Sequence, residues 1–383
     1  MQKANVVIIG SGLAGYNLAK EIRKIDQNLS LIMISQDKGD FYSKPQLSTA
    51  LRMKKTASDL IMSSAEKMSE DLAMTIKTNC KVDAINSGEN QITLQNGDII
   101  TYDQLVLALG ADTPTPPLSG DGIDALYHVN DVYQYQAFRE AIENKKHITI
   151  IGAGLVGCEF ANDLSMLGFT VSMVDPAPSA LSQLVPKEIG GKLQSALTAQ
   201  GVNWHLGNVV KTINKSQDKL TITLDNDETW ETDVVLSAVG LRPRIDLAKT
   251  ADIQCDRGIN VDKQLKTNVD NVYALGDCAQ INGWNLHYVG PILHAAKCLA
   301  KTLTGETNEL TLPALPVVIK TSCYPICLCC PPFSTTATWS CETDHASLKF
   351  SLKNKQDELL GFMLTKNAVK ERMAFMQQLP AWL

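Results

Sequence analysis

The stretch VVIIGSGLAG at residues 6–15 recurs as ITIIGAGLVG at residues 148–157, and this repeat decides the fold of the 383-residue chain. Each glycine copy is an apolar run that leads into the spacing Gly-x-Gly-x-x-Gly and then into a helical pattern. Continuously apolar strands are typical of parallel sheets covered on both faces. The repeat therefore predicts an α/β fold with two units that each place a glycine turn between a strand and a helix.

Similar text follows both glycine copies. After the first copy come LSLIMIS, VDAIN, QITLQNGDIITY and LVLALG, and after the second come TVSMVD, VVKTIN, LTITLDNDETW and VVLSAVG. Each half therefore predicts a βαβ unit, a β-meander and a closing buried strand. Two Pro-rich stretches, at residues 112–122 and 311–316, are typical of boundaries. The tail from residue 318 alternates like a small β-sheet and ends in a helical pattern.

The first glycine copy predicts a dinucleotide site rather than a merely tight turn. Gly10, Gly12 and Gly15 follow a strand and precede a helix, where backbone N–H groups and the helix N-terminus bind a pyrophosphate. An acidic residue for the adenosine ribose is expected at the end of the next strand. Asp37 is the candidate, with Gln36 as a hydrogen-bonding substitute.

The second glycine copy repeats the pattern with Gly152, Gly154 and Gly157. Asp175 closes the following strand, 18 residues after the last glycine. A carboxylate there accepts hydrogen bonds from ribose hydroxyls and repels a 2′-phosphate, which favours NAD over NADP. The alternative is a solvated strand end before Pro176. Two dinucleotide sites in one chain predict hydride transfer between two cofactors, usually a nicotinamide and a flavin.

Composition excludes several classes of function. The chain has 35 basic and 41 acidic residues, a net charge of −6 and no long Lys/Arg cluster, so it lacks the basic footprint of a nucleic-acid binder. Its apolar runs are far shorter than the roughly 20 residues that span a bilayer. The start has neither the basic nor the apolar region of a signal peptide, so we expect a cytoplasmic protein without a membrane segment.

Four further stretches, FYSKPQLS, GCEFANDLS, SAVGLRPR and YALGDCA, resemble the pyridine-nucleotide-disulfide oxidoreductases, and among them the rubredoxin–NAD reductases. The resemblance extends over essentially the whole chain. It implies two Rossmann-like domains of the glutathione-reductase type plus a small α+β C-terminal domain, with FAD as cofactor and NADH as substrate. The implied FAD-binding domain, residues 1–111 and 241–312, is split by an NAD-binding domain at 112–240 and followed by a C-terminal domain at 313–383.

The same resemblance assigns individual residues. It places Lys44 and Glu159 beside the isoalloxazine as the catalytic pair: Lys44 would hydrogen-bond near N5 and stabilise the reduced flavin, and Glu159 would hold Lys44 in an ion pair. Asp277 in the GD motif would bond the ribityl chain. The alternatives are a solvated surface lysine for Lys44 and a helix-surface glutamate for Glu159, and a helix N-cap after a strand is compatible with the role of Asp277.

Three more residues match cofactor-contacting positions of the family. Val82 would contact the adenosine part, and Val289 and Lys320 the ring, although the two valines alone are typical of core residues. The full set of predicted cofactor-binding residues is Ile9, Gly10, Ser11, Gly12, Gly15, Gln36, Asp37, Lys44, Val82, Gly152, Gly154, Gly157, Glu159, Asp175, Gly276, Asp277, Val289 and Lys320.

The absence of cysteine from one stretch of the sequence is informative. FYSKPQLSTAL, the stretch in which disulfide reductases of this superfamily carry a redox cysteine pair, contains no cysteine, which predicts an enzyme without a dithiol relay. The cluster CYPICLCC at residues 323–330 fits regular zinc or iron–sulfur spacings poorly and predicts packing. Cys158 and Cys298 are expected to be small buried hydrophobes. The six histidines, His287 and His294 among them, lack metal-ligand spacing, so no metal site is expected.

The resemblance implies a flavoenzyme that takes a hydride from NADH and releases single electrons to rubredoxin, a small acidic iron protein, for alkane hydroxylation or oxygen detoxification. The alternatives are an NADH-dependent ferredoxin reductase of an oxygenase system, a flavin-bound protein like apoptosis-inducing factor, and an NAD-binding module without flavin. An acidic partner for a net negative chain requires a local basic patch, for which Lys44 and Lys320 are candidates, or an apolar contact.

Overall fold

The first glycine copy begins the largest sheet of the protein. The computed structural model describes residues 2–344 and 346–383. Residues 6–9 are buried because their strand lies between two parallel neighbours. In spatial order the sheet contains Thr75–Lys77, Leu31–Ile34, Gln2–Ile9, Ile99–Leu107, Gln91–Leu94 and Val82–Asn86, with Val272–Ala274 also paired to Ile99–Leu107.

The second glycine copy begins a sheet of five parallel strands. In spatial order they are Leu126–His128, Val234–Ser237, His147–Ile151, Thr170–Asp175 and Val202–Leu206. The two sheets, each with a strand, a glycine turn and a helix at its centre, confirm the predicted α/β class.

The two meanders are placed differently. In the first half, Gln91–Leu94 pairs antiparallel with the start of Ile99–Leu107, so the meander extends the main sheet. The end of Ile99–Leu107 pairs in parallel with Val272–Ala274, which brings the YALGDCA segment beside the first glycine copy. The meander of the second half forms its own antiparallel sheet of Val210–Ser216, Lys219–Leu224 and Thr229–Thr232.

The C-terminal segment forms an antiparallel sheet, as its alternating pattern predicts. In spatial order its strands are Val317–Ile319, Ile326–Cys329, Leu359–Thr365, Ser347–Lys353 and Thr338–Asp344. Cys327 and Cys329 are buried in a core cluster with Phe362 and Leu364, which corresponds to packing residues. His345, one of the six histidines interpreted as structural, lies outside the described residues.

Three two-stranded sheets pair Phe41–Tyr42 with Ile61–Ser63, Ala111–Asp112 with Arg242–Pro243, and Ile259–Val261 with Ala279–Ile281.

The helices differ in how much of their surface is buried. Leu13–Ile25 buries one face and exposes the other, whereas every residue from Gly157 to Ser165 of Leu155–Met166 is buried. The other α-helices are Ala57–Leu60, Ala65–Asp71, Val132–Ala141, Lys187–Thr198, Asp246–Lys249, Val289–Leu303 and Arg372–Met376. Three 3₁₀ helices are Lys44–Thr49, Ile123–Ala125 and Lys366–Glu371.

Helix Leu155–Met166 is buried along residues 157–165 because it packs against its own parallel sheet, the Lys44–Thr49 helix and the C-terminal segment. Phe160 and Ala161 share a core cluster with Leu47 of the Lys44–Thr49 helix and with Ile319 and Tyr324 of the C-terminal segment. Cys158 on this helix is buried, as is Cys298 on Val289–Leu303, which confirms that both are small core residues. The second glycine copy thus lies where the three parts meet.

Candidate active site

One continuous cavity connects the two glycine copies. Its volume is about 1670 Å³, and its walls include Gly12, Gly154, Glu159 and Lys320. Pockets for a single small molecule measure about 300–1,000 Å³. The cavity therefore has room for two ligands of dinucleotide type, one at each glycine turn.

The glycines of the first copy have separate physical roles. Gly10 has a φ of +117°, and a Cβ there would lie 2.2 Å from the carbonyl oxygen of Ala108, so only glycine fits. A Cβ at Gly15 would lie 2.0 Å from the Gly10 oxygen, so the helix can pack this closely against the end of the strand only because residue 15 is a glycine. At Gly12 a Cβ would meet nothing within 4 Å, which leaves the open space that a pyrophosphate requires.

The second copy reproduces this arrangement. Gly152 has a φ of +110° and would place a Cβ 2.5 Å from the Ala238 oxygen, Gly157 would place one 2.0 Å from the Gly152 oxygen, and Gly154 faces open space. Two turns with an open middle glycine at a helix N-terminus fit two pyrophosphates.

The predicted ribose-binding carboxylates lie on the cavity wall. Asp37 Oδ1 accepts hydrogen bonds from Ser35 Oγ (2.5 Å) and from the Gly39 backbone (2.8 Å). Asp175 accepts from the backbone N–H of Ala153 through Oδ2 (2.6 Å) and of Ala177 through Oδ1 (2.8 Å). These bonds fix both side chains, and each carboxylate keeps further lone pairs for a ligand hydroxyl. The Asp175 carboxylate is therefore fixed by backbone hydrogen bonds, and Asp175 is more than a solvated residue at the end of a strand.

Glu159 is the centre of a buried polar network. Its side chain is 1 % exposed, and Oε2 lies 3.0 Å from Lys320 Nζ and accepts a hydrogen bond from Ser48 Oγ at 2.5 Å. Its Oε1 accepts the Lys320 backbone N–H at 2.9 Å. Lys320 Nζ also donates to Ser48 Oγ at 3.1 Å and to the Pro45 carbonyl. The buried charge is therefore both paired and hydrogen-bonded, as its burial requires.

The expected ion pair between Lys44 and Glu159 is wrong. Lys44 Nζ instead donates to Asn130 Oδ1 at 3.4 Å, while Lys320 from the C-terminal segment takes the place beside Glu159. Both lysines line the cavity. Burial lowers the pKa of Lys44, and the Asp277 carboxylate partly offsets this. Sequence reasoning placed both lysines near the ring and had no signal to tell which one reaches Glu159.

Two more polar side chains on the Glu159 helix contact other segments. Asn162 Nδ2 donates to Ser322 Oγ (3.2 Å), and Asn162 Oδ1 accepts the Cys323 backbone N–H (3.2 Å). Asp163, fully buried, accepts from the Arg52 backbone N–H (2.8 Å) and pairs with Arg52 Nε (3.2 Å). Sequence reasoning missed both residues. The available signal was three polar residues at spacings i, i+3 and i+4 in an otherwise apolar helix.

Asp277 lies in a turn between Val272–Ala274 and Ala279–Ile281, so its interpretation as a helix N-cap is wrong. Burial raises the pKa of Asp277, and His287 and then Lys44 offset this. The preceding Gly276 has a φ of +80° and packs against Ala14, which brings this turn to the first glycine copy.

Unpartnered polar atoms test whether a cofactor fits the cavity. Ser237 Oγ, Asn285 Oδ1 and His287 Nε2 are buried and have no hydrogen-bond partner among the described residues, and all three residues line the cavity. Buried polar atoms usually have partners. The cavity therefore suits ligands rich in hydroxyl, amide and phosphate groups, and FAD and NADH are such ligands.

The structure brings most predicted cofactor residues to this one cavity. Gly15, Gly157 and Gly276 do not line it and act through close packing. The predicted residues that line it are Ile9, Gly10, Ser11, Gly12, Gln36, Asp37, Lys44, Val82, Gly152, Gly154, Glu159, Asp175, Asp277, Val289 and Lys320.

No cysteine side chain takes part in the hydrogen bonds described for Glu159 and Lys320. All ten are unpaired, and Ser48, not a thiol, contacts Glu159. Within residues 2–344 and 346–383, no group of three or more His, Cys, Asp and Glu side chains is placed to hold a metal ion.

Comparison with known proteins agrees with this architecture. Residues 4–296 match the family described as pyridine nucleotide-disulphide oxidoreductase, and residues 309–379 match the rubredoxin binding C-terminal domain. The chain is 43 % identical over 377 residues to a rubredoxin-NAD(+) reductase of Alcanivorax borkumensis, with 98 % of both chains covered. It is 40 % identical over 383 residues to a rubredoxin-NAD(+) reductase of Acinetobacter baylyi, again with 98 % of both covered.

Among solved structures, a ferredoxin reductase from Rhodopseudomonas palustris superposes with a TM-score of 0.87. It is 23 % identical, with 98 % of this chain and 95 % of that chain covered. At this identity the likeness establishes the fold alone.

Proposed function

The chain belongs to the pyridine nucleotide-disulphide oxidoreductase family, and we propose that it is an FAD-dependent enzyme that passes electrons from NADH to rubredoxin. Full-length relatives at 43 % and 40 % identity are rubredoxin-NAD(+) reductases, and the C-terminal segment matches a rubredoxin-binding domain. The ferredoxin reductase alternative fits less well, because its support is a fold likeness at 23 % identity.

One observation carries this proposal. The cavity that contains both glycine turns also has Val318 and Lys320 in its wall, and both belong to the rubredoxin-binding segment. Val318 is 48 % exposed, so it reaches the surface. A donor nucleotide, a flavin and a docked protein acceptor would thus meet at one place, as electron transfer between them requires.

The first glycine copy, Asp37 and Asp277 suit FAD, with Val82 at the adenosine part and Val289 and Lys320 toward the ring. When bound, FAD accepts a hydride from NADH at N5 and releases the two electrons singly. Glu159 fixes the position of Lys320 through contacts to both its backbone N–H and its Nζ.

Lys44 and Lys320 line the cavity, and their positive charges would stabilise the negative charge that a bound flavin gains when it is reduced. Lys44 reaches the cavity from the Lys44–Thr49 helix, and Lys320 from the C-terminal segment. These two residues and Glu159 are therefore the proposed catalytic group.

The second glycine copy suits NADH. The held carboxylate of Asp175 presents lone pairs to ribose hydroxyls and repels a 2′-phosphate. Residues 176–184, which follow it, contain no Lys or Arg that would pair with such a phosphate. This charge pattern supports a preference for NADH over NADPH.

The domain division follows the sheets. The pairing of Val272–Ala274 with Ile99–Leu107 supports an FAD-binding domain made of residues 1–111 and 241–312 around an NAD-binding domain at 112–240. The antiparallel sheet that begins at Val317 supports a separate domain at 313–383.

A cytoplasmic location and a role in alkane hydroxylation or oxygen detoxification are further parts of the proposal. Ten unpaired cysteines suit a reducing compartment. Within the described part of the chain, no helix combines the length and apolarity needed to cross a bilayer.

Stopped-flow absorption tests the electron path. We expect the purified protein to absorb in the visible range, to bleach on mixing with NADH far faster than with NADPH, and to recover on addition of oxidised rubredoxin. A colourless protein would contradict the FAD assignment. Bleaching that ferredoxin reverses and rubredoxin does not would contradict the acceptor.

Salt dependence tests how the acidic partner docks. The Lys320 side chain is 34 % exposed at the cavity mouth, beside the apolar Val318. If charge guides the encounter, the KM for rubredoxin rises several-fold between low salt and about 0.5 M, where the Debye length falls to a few ångströms. A constant KM would favour the apolar contact.

A further inference from the structure

The segment between the strand Ala279–Ile281 and the helix Val289–Leu303 contains two polar residues that each leave one buried polar atom without a hydrogen-bond partner among the described residues. Asn285 and His287 both line the cavity, two positions apart on the same stretch. Asn285 Oδ1 and His287 Nε2 are buried, and neither atom has a hydrogen-bond partner in the part of the chain that the structure describes.

The conformation of Asn285 is fixed by its other polar atom. Asn285 Nδ2 donates to the Ala279 carbonyl at 3.3 Å. The amide therefore keeps Oδ1 as its free acceptor. An unsatisfied buried polar atom destabilises the fold, so two of them in one short stretch indicate a ligand that supplies their partners.

His287 lies among the groups that the proposed flavin site uses. His287 and Asp277 line the same cavity, and His287 offsets the rise in the Asp277 pKa that burial causes. Asp277 precedes the segment and Val289 follows it, and both line the same cavity. In the sequence, Asn285 and His287 therefore lie between Asp277, which is assigned to the ribityl chain, and Val289, which is assigned to the ring.

We propose that Asn285 and His287 are two further flavin-binding residues, which hydrogen-bond polar groups of the ribityl chain and the adjoining part of the ring. Asn285 Oδ1 accepts from a hydroxyl or ring N–H, and His287 Nε2 exchanges a hydrogen bond with a hydroxyl or carbonyl. This inference rests on the proposed FAD function. It adds to the proposed flavin site two hydrogen-bonding residues that belong neither to the glycine motif nor to the GD motif.

The test measures FAD release from the purified holoenzyme by the rise in flavin fluorescence on dilution. His287→Leu removes the proposed hydrogen bond to the flavin, and Asn285→Leu removes both the proposed bond and the bond to the Ala279 carbonyl, so each is expected to raise the FAD dissociation constant about tenfold. His287→Gln retains a polar group and is expected to restore most of the affinity. The matched control is His294→Leu, because His294 lies on the next helix outside the cavity lining.

A second readout separates binding from folding. The visible absorption maxima of bound FAD should shift in His287→Leu and not in His294→Leu, while the thermal midpoint of FAD-stripped protein does not fall. Unchanged FAD affinity and spectrum in both leucine variants would overturn the inference and assign the two atoms to buried water. A wild-type protein that binds no FAD would instead overturn the proposed function.

Discussion

The two glycine copies share a turn and differ in the helix that follows it. Helix Leu13–Ile25 fully buries none of its charged residues, and its pair Glu21 and Lys24 lies on a solvent-accessible face. Helix Leu155–Met166 buries Glu159, Asn162 and Asp163, whose side chains bond to the Lys44–Thr49 helix, to Arg52 and to the C-terminal segment. The same turn thus offers a nucleotide site in both halves, but in the second half the helix behind it also bonds to the Lys44–Thr49 helix and to the C-terminal segment.

The largest expected effect comes from Gly10→Ala and Gly152→Ala, which test whether each copy serves its own nucleotide. Both residues have positive φ and no space for a Cβ, so each change should cost about 3 kcal/mol or more. Gly10→Ala should lose FAD absorption, whereas Gly152→Ala should retain FAD and lose reduction by NADH. Absorption spectra and stopped-flow traces measure both.

Gly12→Ala and Gly154→Ala are the controls for stability, since a Cβ at either position meets open space. They should weaken nucleotide binding with little loss of unfolding free energy. If Gly152→Ala also released FAD, the separate roles of the two copies would be contradicted.

Arg52→Ala tests whether the second helix supports the fold through buried charge. It removes the guanidinium beside the fully buried Asp163 carboxylate, and loss of one partner of such a pair costs about 3–5 kcal/mol. Because Arg52 is 37 % exposed, we expect the lower end of that range. The matched change on the first helix, Glu21→Ala, breaks an exposed pair and should cost about 0.5 kcal/mol or less. Urea unfolding measures both, and equal losses would contradict the comparison.

The same aspartate predicts a pH dependence. Burial raises the pKa of Asp163 above its usual value of 3.8, despite the opposing effect of Arg52. The folded state therefore binds a proton more readily than the unfolded state, so this group's contribution to stability is present at low pH and falls as pH rises through the folded pKa. Asp163→Asn does not titrate. The stability of wild type minus that of Asp163→Asn should decrease from pH 4 to pH 7, and an increase would contradict the raised pKa.

A double-mutant cycle tests which lysine acts with Glu159. Lys320→Met and Glu159→Gln remove groups in direct contact, so their effects on stability and on the rate of NADH reduction should be non-additive, with a coupling of about 1 kcal/mol. Lys44→Met and Glu159→Gln should be nearly additive, because Lys44 bonds to Asn130 instead. Stronger coupling for Lys44 would restore the pair expected from the resemblance.

These contacts show where sequence reasoning succeeds and where it stops. The glycine turns were predictable because strand, turn and helix are local, and their spacing fixes Gly10 and Gly152 without knowledge of the rest of the chain. The partner of Glu159 was not predictable, because Lys320 lies 161 positions away and arrives through the packing of the C-terminal sheet. The two unpartnered atoms at Asn285 and His287 became visible only when the cavity around them was known.

The smallest effect tests the Ser48 hydroxyl, which contacts both Glu159 and Lys320. Ser48 Oγ donates to Glu159 and accepts from Lys320, so Ser48→Ala leaves both buried groups short of one partner and should cost about 1 kcal/mol. Thr49→Ala, in the same 3₁₀ helix, removes only a 3.3 Å bond to the Gln46 carbonyl and is the control. NADH should reduce the Ser48→Ala protein several-fold more slowly and the Thr49→Ala protein at the wild-type rate. Equal rates in both variants would mean that Glu159 holds Lys320 in place without the serine.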